Sequence, residues 1–431
     1  MTEALIGFAA LLGLSFIGVP LGFATLVVGL AGFALLRGLS PALVMLSQQI
    51  METATNYGFS VIPLFILMGV FVHRSNIANE LYDASYAWLG RFRGGLAMST
   101  VLACAGFSAV CGSTLATAAT MSKVAMPSMR RYRYDDALSS GSVAAGGTLG
   151  IMIPPSVPLV IYGIIAQQDI GKLFMAGVLP GIVLVALFLG TVWATVRRNP
   201  AAAPIAEPLS REQRRKALRA ILPVLGLFVL VLGGIYGSLF TPTEAAGIGA
   251  FGAALIAAWR GSLSTWGAWI DALVDAGRTT AVLFAVLFGA LVFGEFANLS
   301  RMPFDLLQFV KSLELSGFGV VFAVCIICIL LGMVFESLGI LVLIIPVFLP
   351  TLTDLKVDLI WFGIVVILVT EIGLLTPPVG KNVFTVKTMV PEIALGTIFR
   401  GVTPFVLALG AGLVLILLLP FIATALPSLM R

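Results

Sequence analysis

Two adjacent prolines interrupt an apolar segment of this chain that is otherwise long enough to cross a lipid bilayer. The interruption is the run GGTLGIMIPPS, within the apolar stretch 137–166. Pro154 and Pro155 remove two backbone donors, and each ring clashes with the preceding helical turn. Inside a bilayer, non-helical backbone is tolerated only where protein or a water-filled cavity covers it. The run therefore predicts a discontinuous transmembrane helix whose break lies near the middle of the membrane.

The same device occurs a second time, in the run EIGLLTPPVG within the apolar stretch 358–386. The two proline pairs are separated by 377 − 154 = 223 residues. Two broken helices at matching positions in two halves of a chain are typical of the binding sites of secondary transporters.

Two further apolar stretches, 95–127 and 318–350, are also interrupted. The first is broken at the run CGST and the second at FESLG, again about 223 residues apart. Each half is too short to cross the membrane comfortably, because a crossing helix needs roughly 20 residues. Each stretch therefore predicts a re-entrant helical hairpin, and the shared offset indicates an internal repeat.

The composition agrees with this class of protein. Of the 431 residues, 59% are hydrophobic and only 10% are charged, whereas a soluble domain carries roughly 25% charged residues. We predict an all-α polytopic membrane protein embedded in the lipid bilayer. The net charge of +5 does not indicate nucleic-acid binding, because the basic residues lie between apolar segments, where they set topology.

The segment 197–219 divides the chain into two predicted repeats, 1–196 and 220–431. It holds seven basic residues against two acidic ones, which predicts a cytoplasmic loop. Counting crossings outwards gives five in each half, so the repeats have inverted topology and the amino terminus lies outside. Residues 4–36 remain open, because they fit either one or two crossings. Amphipathic pieces at the interface are predicted for three segments: 74–93, 261–278 and 300–315.

Two hairpin tips and two helix breaks that meet in the membrane would present hydroxyls, loose carbonyls and helix ends. Such oxygens suit a hard cation such as Na⁺, and half-helix amino ends suit a carboxylate. The polar candidates are Ser108, Ser113, Thr114, Thr148, Ser156, Ser337, Thr376 and Asn382. The alternative for each hydroxyl is a bond to its own helix or to a neighbouring one. Glu336 and Glu371 lie in apolar stretches, which indicates function or an ion pair, for example with Lys381. Glu244 is predicted to close a capping box with Thr241.

Three runs resemble one known family. The runs AGGTLGIMIPPSVPLVIYG, TPTEAAGIGA and GLLTPPVGKNVF look like the large membrane subunit of tripartite ATP-independent periplasmic (TRAP) transporters, and the resemblance covers essentially the whole chain. It implies a multi-pass protein of the bacterial inner membrane that imports organic acids with Na⁺ by an elevator motion. It also implies two partners, namely a periplasmic substrate-binding protein and a small four-helix membrane subunit on a separate polypeptide.

The resemblance also implies two Na⁺ sites and no organic cofactor. One site would use the first hairpin and the first break, through Ser108, Gly112, Ser113, Gly150, Ile153 and Pro154. The other would use the second hairpin and the second break, through Gly332, Glu336, Gly373, Thr376 and Val379. Substrate contacts are expected from Thr114, Thr148, Ser156, Ser337 and Asn382. The substrate itself stays open, because C4-dicarboxylates, sialic acids and other carboxylates are all compatible.

Two other functional classes remain as alternatives. A self-sufficient Na⁺/carboxylate symporter or an ion antiporter would share the repeat architecture but would need no partner subunits. An intramembrane enzyme would need a nucleophile and a base, and no GxSxG or HExxH motif is present.

The basic excess of the central loop makes topology directly testable. A reporter enzyme that works only in the periplasm, fused between residues 199 and 210, is expected to be inactive. The same reporter at the amino terminus should be active, and the reverse pattern would overturn the assignment.

Overall fold

The structure is a computed structural model that describes residues 2–205, 207 and 209–430. All regular structure in these residues is helical. In the first half the α-helices are α1 (Thr2–Phe16), α2 (Leu21–Arg37), α3 (Leu39–Thr55), α4 (Val61–Arg74), α5 (Ile77–Leu89), α6 (Gly95–Cys111), α7 (Thr114–Arg131), α8 (Asp136–Gly146), α9 (Leu149–Met152), α10 (Val157–Ile165) and α11 (Ile170–Arg198).

The second half contains α12 (Arg211–Tyr236), α13 (Pro242–Trp259), α14 (Trp266–Leu299), α15 (Met302–Ser312), α16 (Gly317–Gly332), α17 (Ser337–Asp354), α18 (Leu359–Leu375), α19 (Lys381–Met389), α20 (Leu395–Leu418) and α21 (Phe421–Thr424). Six apolar stretches of helix are long enough to cross a membrane, and the bent pair formed by α8–α9 and α10 is a seventh. The prediction of an all-α polytopic membrane protein is confirmed for the described residues.

The helix boundaries follow the internal offset. The starts of α6 and α16 differ by 317 − 95 = 222, those of α7 and α17 by 337 − 114 = 223, and those of α8 and α18 by 359 − 136 = 223. We call α6 with α7 hairpin 1 and α16 with α17 hairpin 2. Break 1 is residues 153–156 and break 2 is residues 376–380, and each contains its proline pair. Inverted topology and re-entry from one side stay predictions.

Helices α6, α8, α9, α10 and α18 form the buried centre of the molecule. In α18 every residue from Trp361 to Leu375 is buried, and α8 and α9 are buried from Leu138 onwards. By contrast α12 and α14 expose large apolar side chains such as Leu225, Val229 and Val274. Helices that are apolar all round and exposed on one side suit contact with lipid.

Small residues let the central helices approach closely. A methyl group on Gly401 of α20 would lie 1.8 Å from the Ala137 carbonyl oxygen, and one on Gly141 of α8 would lie 2.3 Å from the Gly401 carbonyl oxygen. The two backbones therefore touch, as small-residue interfaces allow in lipid. In the outer layer, Gly289 of α14 is likewise seated against Gly22 of α2.

The amphipathic helix α5 lies on the same face as the central loop. Its Tyr86 hydroxyl donates to the Glu207 carbonyl at 2.5 Å, and Glu80 pairs with Arg260 at 2.6 Å. Arg260 also donates to the Ala220 carbonyl near the start of α12. These bonds place α5, the central loop and Arg260 on one face of the molecule.

Three predictions need correction. Residues 261–278 are not a separate interfacial piece, because α14 runs unbroken for 34 residues. The irregular part of the central loop is shorter than 197–219, since α12 begins at Arg211 and its first turns carry most of the basic residues. Glu371 makes no ion pair with Lys381 and instead accepts a hydrogen bond from Ser337. Residues 4–36 form two helices, and the capping box of Thr241 and Glu244 is confirmed.

The α8–α20 contact predicts an asymmetric response to alanine. Gly401→Ala should lower the free energy of unfolding by about 1–3 kcal/mol, because the new methyl group overlaps a backbone carbonyl. Gly410→Ala on the same helix meets nothing within 4 Å and should gain up to about 1 kcal/mol from helix propensity. Thermal unfolding of the purified protein in detergent measures both, and equal melting temperatures would contradict the packing argument.

Candidate functional site

Hairpin 1 contacts the backbone of the first broken helix just before break 1. The Ser108 hydroxyl of α6 donates to the Gly147 carbonyl at 3.2 Å. A methyl group on Gly150 would lie 1.5 Å from Ser108 Oγ and 2.3 Å from the Ser108 carbonyl carbon. Only glycine allows this approach, so the structure brings together the predicted pair Ser108 and Gly150.

A matching contact joins hairpin 2 and break 2. A methyl group on Gly373 would lie 2.5 Å from the Gly332 Cα atom, and one on Gly332 would lie 2.9 Å from the Gly373 Cα atom. Gly150 and Gly373 are themselves separated by 373 − 150 = 223 residues. The two halves therefore place a glycine of the broken helix against its hairpin at the same point of the repeat.

The prolines remove helical donors from the carbonyls of both contacts. The residues four positions after Gly150 and Gly373 are Pro154 and Pro377, and proline has no N–H to donate. The Gly373 carbonyl accepts instead from the Thr376 N–H at 3.1 Å and the Thr376 hydroxyl at 3.0 Å. The side chain of Ile153 packs against Gly181 of α11, so α11 supports break 1.

Several predicted hydroxyls are used by the ends of their own helices. Ser113 accepts from the Ala116 N–H at 3.3 Å and caps α7, and Ser156 accepts from the Leu159 N–H at 3.4 Å and caps α10. Thr148 donates to the Ala145 carbonyl at 2.7 Å. Thr148 thus bonds the backbone of its own helix, as the alternative predicted, and Ser113 and Ser156 each cap the start of a helix.

A cavity of about 270 Å³ is lined by residues from the tips of both hairpins. Tip 1, residues 111–116, and tip 2, residues 336–338, form two of its walls, with Ile151 and Leu374 beside the breaks. The outer helices α4 and α14 close the remaining side. A mostly apolar cavity with a few converging polar groups is the usual form of a small-molecule site.

The predicted site residues divide into two groups around this cavity. Those that line it are Gly112, Ser113, Thr114, Glu336 and Ser337. Those that do not line it are Ser108, Gly150, Ile153, Pro154, Gly332, Gly373, Thr376 and Val379. Thr148, Ser156 and Asn382 do not line the cavity, and their predicted substrate contacts stay predictions. Asn382 instead donates to the Ala144 carbonyl of α8 at 3.2 Å, so it joins the two broken helices.

Sequence reasoning missed the polar groups that the outer helices contribute. Arg74 at the end of α4 forms an ion pair with Asp275 of α14 and donates to the Ala268 carbonyl at 3.3 Å. His73 contacts the Thr120 hydroxyl of hairpin 1 through Nδ1 at 3.3 Å. Both Arg74 and Asp275 line the cavity. The sequence signal that could have indicated this pair was the presence of Arg74 and Asp275 in otherwise apolar helices.

The comparison with known proteins places this architecture in a family. The family model of the DctM component of tripartite ATP-independent periplasmic transporters matches residues 8–422. The chain is 34% identical to the C4-dicarboxylate TRAP transporter large permease protein DctM of Pseudomonas aeruginosa, and the match covers 93% of each chain. It is 31% identical to the sialic acid TRAP transporter large permease protein SiaM of Vibrio cholerae, over 97% of each. It is 32% identical to the ectoine TRAP transporter large permease protein TeaC of Halomonas elongata, over 96% of each.

Solved structures agree at the level of the fold. The YdaH transporter of Alcanivorax borkumensis superposes with a TM-score of 0.66 at 16% identity, over 90% of each chain. MtrF of Neisseria gonorrhoeae gives a TM-score of 0.59 at 13% identity, over 89% of this chain and 84% of the other. Because the similar relatives are transporter permeases, the alternative of an intramembrane enzyme is set aside. The chain belongs to the DctM family, the large permease component of tripartite ATP-independent periplasmic transporters.

Proposed function

We propose that this chain is the membrane subunit that carries an organic acid inwards together with Na⁺. The matched contacts of Gly150 with Ser108 and of Gly373 with Gly332 carry the proposal. At each contact a proline four residues on deprives a carbonyl of its helical donor. Carbonyl and hydroxyl oxygens fixed in this way suit a hard monovalent cation, and the residues that follow the two glycines, Ile151 and Leu374, both line one cavity.

The substrate would occupy the cavity between the tips. Related permeases are named for C4-dicarboxylate, sialic acid and ectoine transport, and the proposal for this chain is a carboxylate of comparable size. Arg74 supplies a cationic group to the cavity, although Asp275 holds it in the present arrangement. The hydroxyls of Thr114 and Ser337 would accept or donate to the bound acid from the two tips.

The cavity also indicates a direction of access. Arg74 ends α4 on the side where α5 begins, and α5 contacts the central loop through Tyr86. If the basic loop is cytoplasmic, the charged end of the cavity faces the cytoplasm. We propose that the hairpins and broken helices move as one body against α4 and α14 in an elevator motion. A periplasmic binding protein would deliver the acid, and a small membrane subunit would support the outer helices.

The proposal is tested by reconstituting the chain with its two partners in liposomes. An inward Na⁺ gradient should drive uptake of a carboxylate that the binding protein recognises, whereas a pH gradient alone should not. Uptake that ignores Na⁺ but follows a pH gradient would overturn the coupling. Uptake by the chain without either partner would favour a self-sufficient symporter.

Thr376 allows a sharper test of the second Na⁺ position. Its hydroxyl bonds the Ile372 and Gly373 carbonyls at 3.1 and 3.0 Å, so it lies at the level of the freed backbone. If its oxygen also binds Na⁺, Thr376→Val should cost about 1–3 kcal/mol of ion affinity. That is roughly a five- to hundredfold rise in the Na⁺ concentration for half-maximal uptake.

Two variants control for the loss of a hydroxyl alone. Thr403 of α20 donates to the Phe399 carbonyl at 2.9 Å on an exposed surface, and Thr403→Val should leave the Na⁺ curve unmoved. Ser156→Ala removes the cap of α10 and should affect stability more than Na⁺ affinity. An unchanged Na⁺ curve for Thr376→Val would exclude its hydroxyl from the ion site.

A further inference from the structure

A groove of about 600 Å³ opens on the surface between the turn that precedes α6 and the end of α11. Residues 90–94 form this turn, which joins α5 to hairpin 1. A methyl group on Gly94 would lie 2.9 Å from the Val196 Cγ2 atom, so the turn packs directly on α11. This contact brings Arg93 of the turn and Arg197 of α11 to the same groove.

The two arginines of the groove carry positive charge that no neighbouring carboxylate balances. Both are exposed, and neither forms an ion pair with a residue that the structure describes. None of the described residues that line the groove is acidic. Two more exposed basic residues, Arg91 and Arg198, are their neighbours in the chain. Four like charges therefore lie at or next to one groove, and its electrostatics favour an anion.

The rest of the groove is apolar, which a small soluble anion would not require. Its other lining residues are Leu89, Phe92, Met98, Trp193, Val196 and Pro200. Trp193 is 55% exposed and lies one helical turn before Arg197, whose guanidinium group is 5.2 Å from the centre of the indole ring. Arginine over tryptophan is a favourable cation–π pair. Exposed tryptophans in membrane proteins lie typically at the level of the lipid headgroups.

The position of the groove along α11 also indicates the membrane–water boundary. This helix is apolar, is long enough to cross the membrane, and ends with Arg197 and Arg198. The central loop follows, and its basic excess predicts the cytoplasmic side. The groove is therefore expected at the level of the phosphates of the inner leaflet. Basic pockets between helices on this side of a membrane suit anionic headgroups.

We propose that this groove binds one anionic phospholipid of the inner leaflet. The lipid phosphate lies between the guanidinium groups of Arg93 and Arg197, because a guanidinium group can donate two parallel hydrogen bonds to phosphate oxygens. An acyl chain follows the apolar wall that contains Trp193 and Met98. The bound lipid thereby joins the start of hairpin 1 to the end of α11. The groove shares no lining residue with the cavity at the hairpin tips, so this site is separate from the proposed transport site.

Native mass spectrometry of the chain with its small subunit measures this binding. Phosphatidylglycerol and phosphatidylcholine with identical acyl chains are the probes, because they differ in net charge. The parent should bind phosphatidylglycerol at least fivefold more tightly than phosphatidylcholine. Arg93→Gln combined with Arg197→Gln should weaken phosphatidylglycerol binding at least fivefold, a change of about 1 kcal/mol, and should leave phosphatidylcholine binding as it is. A double variant that keeps the preference of the parent would refute the site.

Arg131→Gln combined with Arg133→Gln is the matched control. Both arginines are exposed and lie outside the groove, and the Arg131 guanidinium group is 5.9 Å from the centre of the Tyr132 ring. They lie on the face of the central loop, where the Asp135 N–H donates to the Ala202 carbonyl at 2.8 Å. This pair removes the same charge and should keep the lipid preference within twofold. An equal loss in both double variants would mean that general surface charge attracts the lipid, and the proposed site would be wrong.

Fluorescence quenching tests the groove even if the double arginine variant fails to fold. Phosphatidylglycerol with brominated acyl chains quenches the tryptophans that it contacts. Titrated into the detergent-purified complex, it should quench the parent more than Trp193→Phe, whereas brominated phosphatidylcholine at the same concentration should not distinguish the two. Equal quenching of parent and variant by the brominated phosphatidylglycerol would contradict the proposal.

The same titration without the small subunit excludes the other occupant of the groove. The preference for phosphatidylglycerol should be present with and without that subunit. A preference that appears only in the isolated chain would mean that the small subunit covers the groove in the complex, and the lipid site would be overturned. None of these measurements uses uptake or a Na⁺ gradient, so failure of the proposed coupling would leave a positive lipid result standing.

Discussion

The architecture depends on how unpaired backbone is covered within an apolar medium. Each proline pair removes two backbone N–H donors from its break, and an unsatisfied backbone group costs several kcal/mol in lipid. Each break therefore needs another element pressed against it. Hairpin 1 contacts the first broken helix at Gly150, just before break 1, and hairpin 2 contacts α18 at Gly373, just before break 2. The breaks and the hairpins are thus parts of one device that occurs twice.

Each broken helix must be covered by protein and, under the proposed function, must also offer oxygen atoms to an ion. Glycine meets both demands because it allows the closest approach of the hairpin. A side chain at Gly150 or Gly373 would push the hairpin away and admit lipid or water. With glycine the backbones of the hairpin and the broken helix touch, and the Gly373 carbonyl keeps its hydrogen bonds from the Thr376 N–H and hydroxyl. The tips beyond these contacts contribute Thr114 and Ser337 to the lining of the cavity.

The sequence predicted the features that come from local backbone chemistry. Proline pairs, interrupted apolar stretches and their shared offset indicated the interrupted helix pairs of both halves, and the family resemblance grouped Ser108 with Gly150. The capping box at Thr241 and Glu244 was predictable for the same reason, since its partners are close in sequence.

Tertiary contacts were the part that the sequence could not predict. Whether Thr148 faces a cavity or its own helix depends on packing around it, and the structure turns it towards Ala145. The ion pair of Arg74 and Asp275 joins residues 275 − 74 = 201 positions apart, with no local pattern to connect them. The polar start of α14 resembled an interfacial helix because the sequence does not show that Asp275 pairs with Arg74.

The central account is that each hairpin and its broken helix enclose one Na⁺ ion beside a shared substrate cavity. Electron cryo-microscopy of the chain with its small subunit, once in Na⁺ and once with choline in its place, tests this most directly. The account predicts density beside Gly150 with Ser108, and beside Gly373 with Gly332, in Na⁺ and not in choline. Hairpins seated on the breaks with no ion density at either contact, at a resolution that shows bound water, would contradict it.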